Sequence, residues 1–352
     1  MAVISAYQLF KQFKGKEVLS NFTLEIEEGE VFGLLGSEKS GKTTFLRILA
    51  GLLLPTGGEC YVLGLSPKTD LPKLHAAVGV VTESAKLYRD MTVDENLRFY
   101  ANLNNIDTDD AIDRISFLLH SLDVWEYRDQ KPDALPTNAI QQVNTARALL
   151  HRPKVLLMDE PTTELNRETI EAMRGMIQYA AEQEGVTSLI CTRHPDHAEK
   201  ICSRFGILHE ANLLAKGSFE QLRLSSGLEY EAQLRLAMDS LLPIGFEHRD
   251  GVWVRKIARE EDMPALIAEA AAHGCKLYEA RISRPSLNEI CGAYISGAYV
   301  EMKAGEENEA SELPDAEEWP EAEYEPEGGE GRDGGAPADQ PEAGDFDEAG
   351  EE

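Results

Sequence analysis

Eight residues, Gly36-Ser37-Glu38-Lys39-Ser40-Gly41-Lys42-Thr43, stand between an apolar run, Val31 to Leu35, and a helix-like segment, Thr44 to Leu53. The spacing GxxxxGK[ST] between a strand and a helix confines the first part of the chain to an α/β fold with a phosphate loop at the strand's end. Its glycines let successive N–H groups curl around phosphate oxygens, and the helix N-terminus adds partial positive charge. Lys42 is placed to reach β and γ phosphates, and Thr43 offers Mg²⁺ a hydroxyl. Glu38 and Lys39 fit the pattern because only the backbone must curl. A glycine-rich turn that binds nothing has the same local look, so the reading needs a matching acidic site downstream.

That site is the apolar strand Val155 to Met158 followed by Asp159 and Glu160. Asp159 is suited to hold Mg²⁺ through its water shell, and Glu160 at the strand mouth to polarise an attacking water. Both carboxylates could instead cap the helix that follows. Further strands are expected at Val78 to Thr82 and Ser188 to Thr192, in keeping with a sheet covered on both faces. From Asp94 to Leu150 the pattern turns helical, with Asn96-Leu97, Phe99-Tyr100 and Leu103 on one stripe and Ile112, Ile115, Leu118 and Leu119 on another.

Composition divides the chain into three. Residues 1–225 read as the α/β domain, with a helical subdomain over about 84–150. Residues 227–302, with alternation in Tyr230 to Leu236 and Val252 to Ile257 and helical patterning from Pro264 to Ala272, read as a small α+β domain. Residues 303–352 are an acidic segment expected to be disordered, because its Glu, Asp, Ala, Gly and Pro cannot bury enough surface to offset ordering. The net charge of −29 is concentrated there, since residues 304–352 hold 20 acids against the lone Arg332. Its Trp319, Tyr324 and Phe346 read as parts of a solvated tail or of a docking motif. The excess of acid argues against nucleic acid as partner. The start lacks the pattern of a signal peptide, and no run of about 18 apolar residues is present to cross a membrane. Cys60, Cys191, Cys202, Cys275 and Cys291 have no CxxC spacing and read as reduced, mostly buried thiols. Gly251-Val-Trp253-Val254 and Cys275-Lys-Leu-Tyr278 lack ligand spacing and read as packing elements. His248 and His273 read as surface residues.

The order of these motifs resembles the nucleotide-binding subunit of ATP-binding cassette (ABC) transporters over about Val3 to Leu222. The resemblance implies ATP and Mg²⁺ as ligands and ATPase activity. It places Phe13 where an aromatic stacks on adenine, although Phe13 could equally be core. Val78-Gly-Val-Val-Thr-Glu83 and the segment Leu87 to Leu97 resemble the loop that senses the γ-phosphate and contacts a permease. Glu83 stands there for the usual Gln and remains an oxygen ligand for Mg²⁺. Thr192-Arg193-His194-Pro-Asp-His197 resembles the switch segment, with His194 placed to contact the γ-phosphate and orient water; a lone His also serves structure alone.

Three departures stand out. Where the family carries Leu-Ser-Gly-Gly-Gln, which caps the ATP of a head-to-tail partner, this chain reads Leu135-Pro136-Thr137-Asn138-Ala139. Pro136 removes an N–H and a hydroxyl, and Thr137 and Asn138 put Cβ atoms where glycine admitted phosphate. After Glu160 the chain reads Pro161-Thr-Thr-Glu164-Leu165-Asn166, ending in Asn where the family has Asp. Lys39 and Glu38 stand for smaller residues. The resemblance therefore implies an ATPase subunit driving a separate permease, an exporter by the form of its extension, paired with another cassette, and held at the inner face of the cell membrane through the permease. A nucleotide-gated regulatory or scaffold subunit with little hydrolysis is the alternative. Soluble cassettes acting on ribosomes or DNA fit poorly with a single phosphate loop and acidic charge.

Overall fold

The structure, a computed structural model, describes residues 2–82, 86–163, 165–237 and 245–297. The chain runs through β1 (Ala2–Phe13), β2 (Lys16–Glu27), β3 (Val31–Leu35), α1 (Lys42–Leu49), β4 (Gly57–Val62), α2 (Leu71–Ala77) and β5 (Val78–Val81). Three helices follow, α3 (Val93–Leu103), α4 (Thr108–Ser121) and α5 (Thr137–Leu149). Alternation then resumes with β6 (Val155–Asp159), α6 (Arg167–Glu184), β7 (Thr187–Thr192), α7 (Pro195–Ile201), β8 (Arg204–His209), β9 (Asn212–Ser218) and α8 (Phe219–Ser225). The last stretch holds β10 (Tyr230–Leu236), β11 (Glu247–Arg249), β12 (Val252–Ile257), α9 (Met263–Ala272), β13 (Leu277–Ser283) and α10 (Leu287–Ile295).

The central sheet has the order β5-β6-β7-β3-β8-β9, parallel except for β9. Strands β3, β6 and β7 are buried along their whole length, as in a sheet covered on both faces. Successive residues serve opposite sides. Leu156 and Met158 join the core beneath α3 to α6, while Val155 and Leu157 join the core shared by α1 and the antiparallel sheet β2-β1-β4. This α/β cassette leaves the C-terminal ends of β3, β6 and β7 side by side, the place where an open parallel sheet builds its site.

Two local expectations need correction. Helix α1 begins at Lys42 and ends at Leu49, earlier than the apolar run suggested, because Gly51 turns the chain at φ +71°. Leu52 and Leu54 are then left exposed. In α3 the inward positions are Val93, Leu97 and Ala101 at four-residue spacing, so Leu103 points to solvent. Ile112 is likewise exposed beside the buried Ala111.

Beyond the cassette, the sheet β11-β12-β10-β13 carries α9 on one face, with Tyr230, Leu234, Ile257, Met263 and Leu266 in its core. Helix α10, read from sequence with this region, packs elsewhere. Leu287, Ile290 and Tyr294 are buried with Leu35, Phe205, Ile207 and Leu222. Glu199 of α7 fixes its start by accepting from Arg284 at 2.7 Å and from the Leu287 N–H at 3.1 Å. Cys60, Cys191, Cys275 and Cys291 are buried free thiols, and Cys202 is partly buried. His248 and His273 are exposed. Among the described residues no helix is long and apolar enough to cross a membrane. The acidic segment 303–352 and Glu83 lie outside the described residues.

Candidate active site

The loop between β3 and α1 requires its glycines. A Cβ on Gly36 would collide with the Leu208 carbonyl and the Ser40 hydroxyl, and Gly41 adopts φ +116° against the Val18 carbonyl. With Gly41 as N-cap and no side chain capping α1, the first N–H groups of this helix have no side-chain partner at the cap, the arrangement that receives an anion. Lys39 also sits in left-handed backbone, at φ +65°.

Lys42 is 5% exposed. Its ammonium donates to the Gly36 and Ser37 carbonyls at 2.8 and 2.9 Å and lies 3.8 Å from Glu160 Oε1. Burial pulls its pKa below the ordinary lysine value, and the Glu160 charge opposes that shift. Beside it opens a cleft of about 290 Å³ lined by Phe13, Lys16, Val18 and the run from Lys39 to Thr44. Phe13 is not core: it is 44% exposed and lies on this cleft, with the Lys11 ammonium 4.8 Å from its ring centre. The tight turn at Lys14 and Gly15 pairs Phe13 with Lys16 and sets both beside the loop.

From β6, Asp159 meets Thr43 of α1, whose hydroxyl donates to Oδ1 at 3.1 Å. Burial raises the Asp159 pKa, and the Thr43 hydrogen bond works against that rise. Glu160 takes φ +47°, a left-handed conformation that a side chain adopts at some cost, and its N–H donates to the Cys191 carbonyl at 2.8 Å. The turn aims its carboxylate at the end of β7, where Oε2 accepts from the Thr192 hydroxyl at 3.0 Å and the Arg193 N–H at 3.2 Å. Neither acid caps α6, since Asn166 does so by accepting from the Thr169 N–H at 2.8 Å. His194 follows Arg193 directly, its Nε2 accepting from Arg193 Nε at 3.4 Å and its ring 5.2 Å from that of His197. His197 is held below the ordinary histidine value by burial and by the neighbouring His194, and its Nδ1 lies 3.1 Å from the Thr162 hydroxyl.

The predicted residues divide accordingly. Phe13, Lys39, Ser40, Gly41, Lys42, Thr43 and Thr44 share the cleft wall. Asp159 and Glu160 reach its floor through Thr43 and Lys42. Gly36 and Ser37 hold Lys42 rather than line the cleft, and Glu38 is exposed outside the lining. Sequence reading missed Lys16 and Val18 in this surrounding, and it named Thr192 and Arg193 within the switch segment without giving them a role. The Lys14-Gly15 turn was the available sign for the first two. The oxygens of Thr43 and Asp159 suit a hard cation such as Mg²⁺. The buried Ser40 hydroxyl, with no hydrogen-bond partner among the described residues, suits a phosphate oxygen at the loop.

The departing segment lies at the start of α5. Pro136 is its N-cap with no side-chain cap, Thr137 is exposed, and Ala139 is fully buried. The Asn138 amide turns toward α6 and donates to the Thr169 hydroxyl at 3.4 Å.

Residues 19–163 match the family model for the ABC transporter. The uncharacterized ABC transporter ATP-binding protein YdbJ of Bacillus subtilis is 28% identical over 304 residues, 85% of this chain and 96% of that protein. The bacitracin transport ATP-binding protein BcrA of Bacillus licheniformis is 28% identical over 66% of this chain and 75% of its own length. The probable multidrug ABC transporter ATP-binding protein YbhF of Escherichia coli is 31% identical over 64% of this chain, which spans only 38% of it. Among solved structures, an ATP binding subunit of an ABC transporter superposes with TM-score 0.60 at 24% identity, over 64% of this chain and 94% of that one. A dimeric bacterial ABC transporter cassette gives TM-score 0.57 at 25% identity, over 61% and 98%. With its phosphate loop, acid pair and switch segment set on one sheet in this order, the chain carries an ABC transporter domain over residues 19–163 and is similar to ATP-binding subunits of that family.

Proposed function

We propose that this subunit binds ATP with Mg²⁺ in the cleft between Phe13 and the phosphate loop, hydrolyses it, and powers a separately encoded membrane permease. The observation that carries the reading is the convergence of Lys42, the Thr43–Asp159 pair and Glu160 at one end of that cleft. Phe13 stacks on the base, and the loop N–H groups and Lys42 hold the phosphates. Thr43, Asp159 and, by resemblance, Glu83 are the residues that would hold Mg²⁺, which would supply charge neutralisation at the phosphates when bound. Glu160 accepts the proton of the attacking water, and His194 orients that water toward the γ-phosphate.

The subunit works in a cassette pair. Its cis elements Lys42, Thr43, Asp159, Glu160 and His194 are retained, whereas Pro136, Thr137 and the inward-turned Asn138 form a poor cap for a partner's phosphate. A second cassette with an intact signature therefore supplies what this chain lacks. The permease holds the pair at the inner face of the membrane, and export is the direction supported by the extension beyond the cassette and by relatives named for bacitracin and multidrug transport.

The same Pro136–Asn138 geometry favours a second reading, a nucleotide-gated regulatory subunit that barely hydrolyses ATP. ATPase activity of the chain alone, and then reconstituted with its permease and a second cassette, separates the two. The expected result is weak activity alone and strong activity in the assembly, abolished by Glu160→Gln. Vigorous activity of the lone chain would sink the paired-cassette reading, and nucleotide binding without turnover in the assembly would establish the regulator.

A further inference from the structure

Arg193 stands at the junction of the three groups on which the candidate chemistry depends. Its own N–H donates to Glu160 Oε2 at 3.2 Å, beside the hydrogen bond from Thr192 to the same oxygen. The other oxygen of that carboxylate lies 3.8 Å from the Lys42 ammonium. The side chain is exposed, and its Nε donates to His194 Nε2 at 3.4 Å, a long contact. Other arginines of the cassette are spent on acids: Arg114 on Glu184, Arg204 on Glu30 and Arg223 on Glu220. Among the described residues no carboxylate forms an ion pair with Arg193. A guanidinium has five donors in a fixed fork that matches phosphate oxygens, and Arg193 uses one of them.

The Arg193 backbone is tied to Glu160, whose carboxylate lies beside the Lys42 ammonium of the phosphate loop, while the Arg193 side chain stays exposed. We propose that Arg193 is a phosphate-binding residue that grips the γ-phosphate of ATP from within this chain, making the site distinguish ATP from ADP. The inference rests on the nucleotide reading of the cleft. A cation supplied in cis does not depend on what a partner's signature segment lends. A charge-assisted bond of this kind contributes about tenfold or more to affinity.

The test is thermal stabilisation of the full chain with Mg²⁺ and graded ATP, non-hydrolysable ATP analogue or ADP, for wild type, Arg193→Ala, Arg193→Gln and Lys42→Ala. Wild type should bind the triphosphates more tightly than ADP. Arg193→Ala and Arg193→Gln should lose about tenfold for the triphosphates and less than twofold for ADP, whereas Lys42→Ala should weaken all three. An unchanged ratio of triphosphate to ADP affinity in both Arg193 variants overturns the inference and leaves the nucleotide site standing. Absence of any nucleotide effect in wild type overturns the site and the inference together. In a His194→Ala background, Arg193→Ala should still cost about tenfold. Loss of that further effect would show that Arg193 acts only by positioning the ring, contrary to the proposal.

Discussion

Thr43 and Asp159, 116 positions apart in the chain, meet through a 3.1 Å hydrogen bond where α1 and β6 converge. Burial pushes the Asp159 pKa up, and a cation at its carboxylate would favour the charged form. Asp159→Asn retains the shape and removes the charge. Nucleotide stabilisation by Mg²⁺ should then require at least about tenfold more Mg²⁺, read by titrating the metal at fixed ATP and following the melting temperature.

Lys42 is anchored on two loop carbonyls, and its long side chain must leave them to meet phosphate. In Lys42→Ala, nucleotide at a hundredfold the wild-type dissociation constant should no longer contribute the roughly 2.7 kcal/mol of stabilisation expected from linkage. Calorimetry with and without ATP reads the difference, and an undiminished shift would place the nucleotide elsewhere.

Lys39 carries a side chain at φ +65°, where glycine is comfortable. Lys39→Gly relieves roughly 1 kcal/mol of backbone strain, partly offset by the freedom glycine gains when unfolded. The melting temperature should rise by about 1–2 °C while nucleotide affinity falls slightly with the lost charge. A lower melting temperature would mean that Lys39 makes a stabilising contact.

His151, just after α5, has its Nε2 buried without a hydrogen-bond partner among the described residues, and burial pulls its imidazole below the ordinary value of 6.5. The unfolded chain then takes up a proton that the folded chain refuses. The stability associated with neutral His151 is present above pH 6.5 and is lost as the pH falls through the depressed folded value. His151→Leu should flatten this acid limb, measured by urea unfolding from pH 7.5 to 5, with little change at pH 7.5. His197, also depressed, contributes to the same limb and should leave a residual slope.

What the sequence made legible was local. The strands Val31–Leu35, Tyr230–Leu236 and Val252–Ile257 have the bounds that their apolar runs or alternation suggest, since a strand's burial follows directly from residue order. The glycines of the phosphate loop were legible for the same reason. Less visible was what depends on distant partners. The acids could be read as helix caps until Asn166 was found capping α6. Phe13 could be read as core until the hairpin turn set it at the cleft. Arg193 was legible only as a member of the Thr192–His197 segment, and its contact with Glu160 depends on the left-handed turn at Glu160 and the register of β6 beside β7.

Helix α10 buries Leu287, Ile290 and Tyr294 in the same cluster as Leu35, the residue before the phosphate loop. Three such side chains stabilise their surroundings by several kcal/mol, at about 1.5–3 kcal/mol each. The floor beneath the loop is thus laid by residues about 250 positions later in the chain, and the composition change near residue 226 is a misleading place to cut. Hybrids that exchange extensions between related cassettes inherit this debt: a chimera stays sound only if the last helix travels with the cassette it supports.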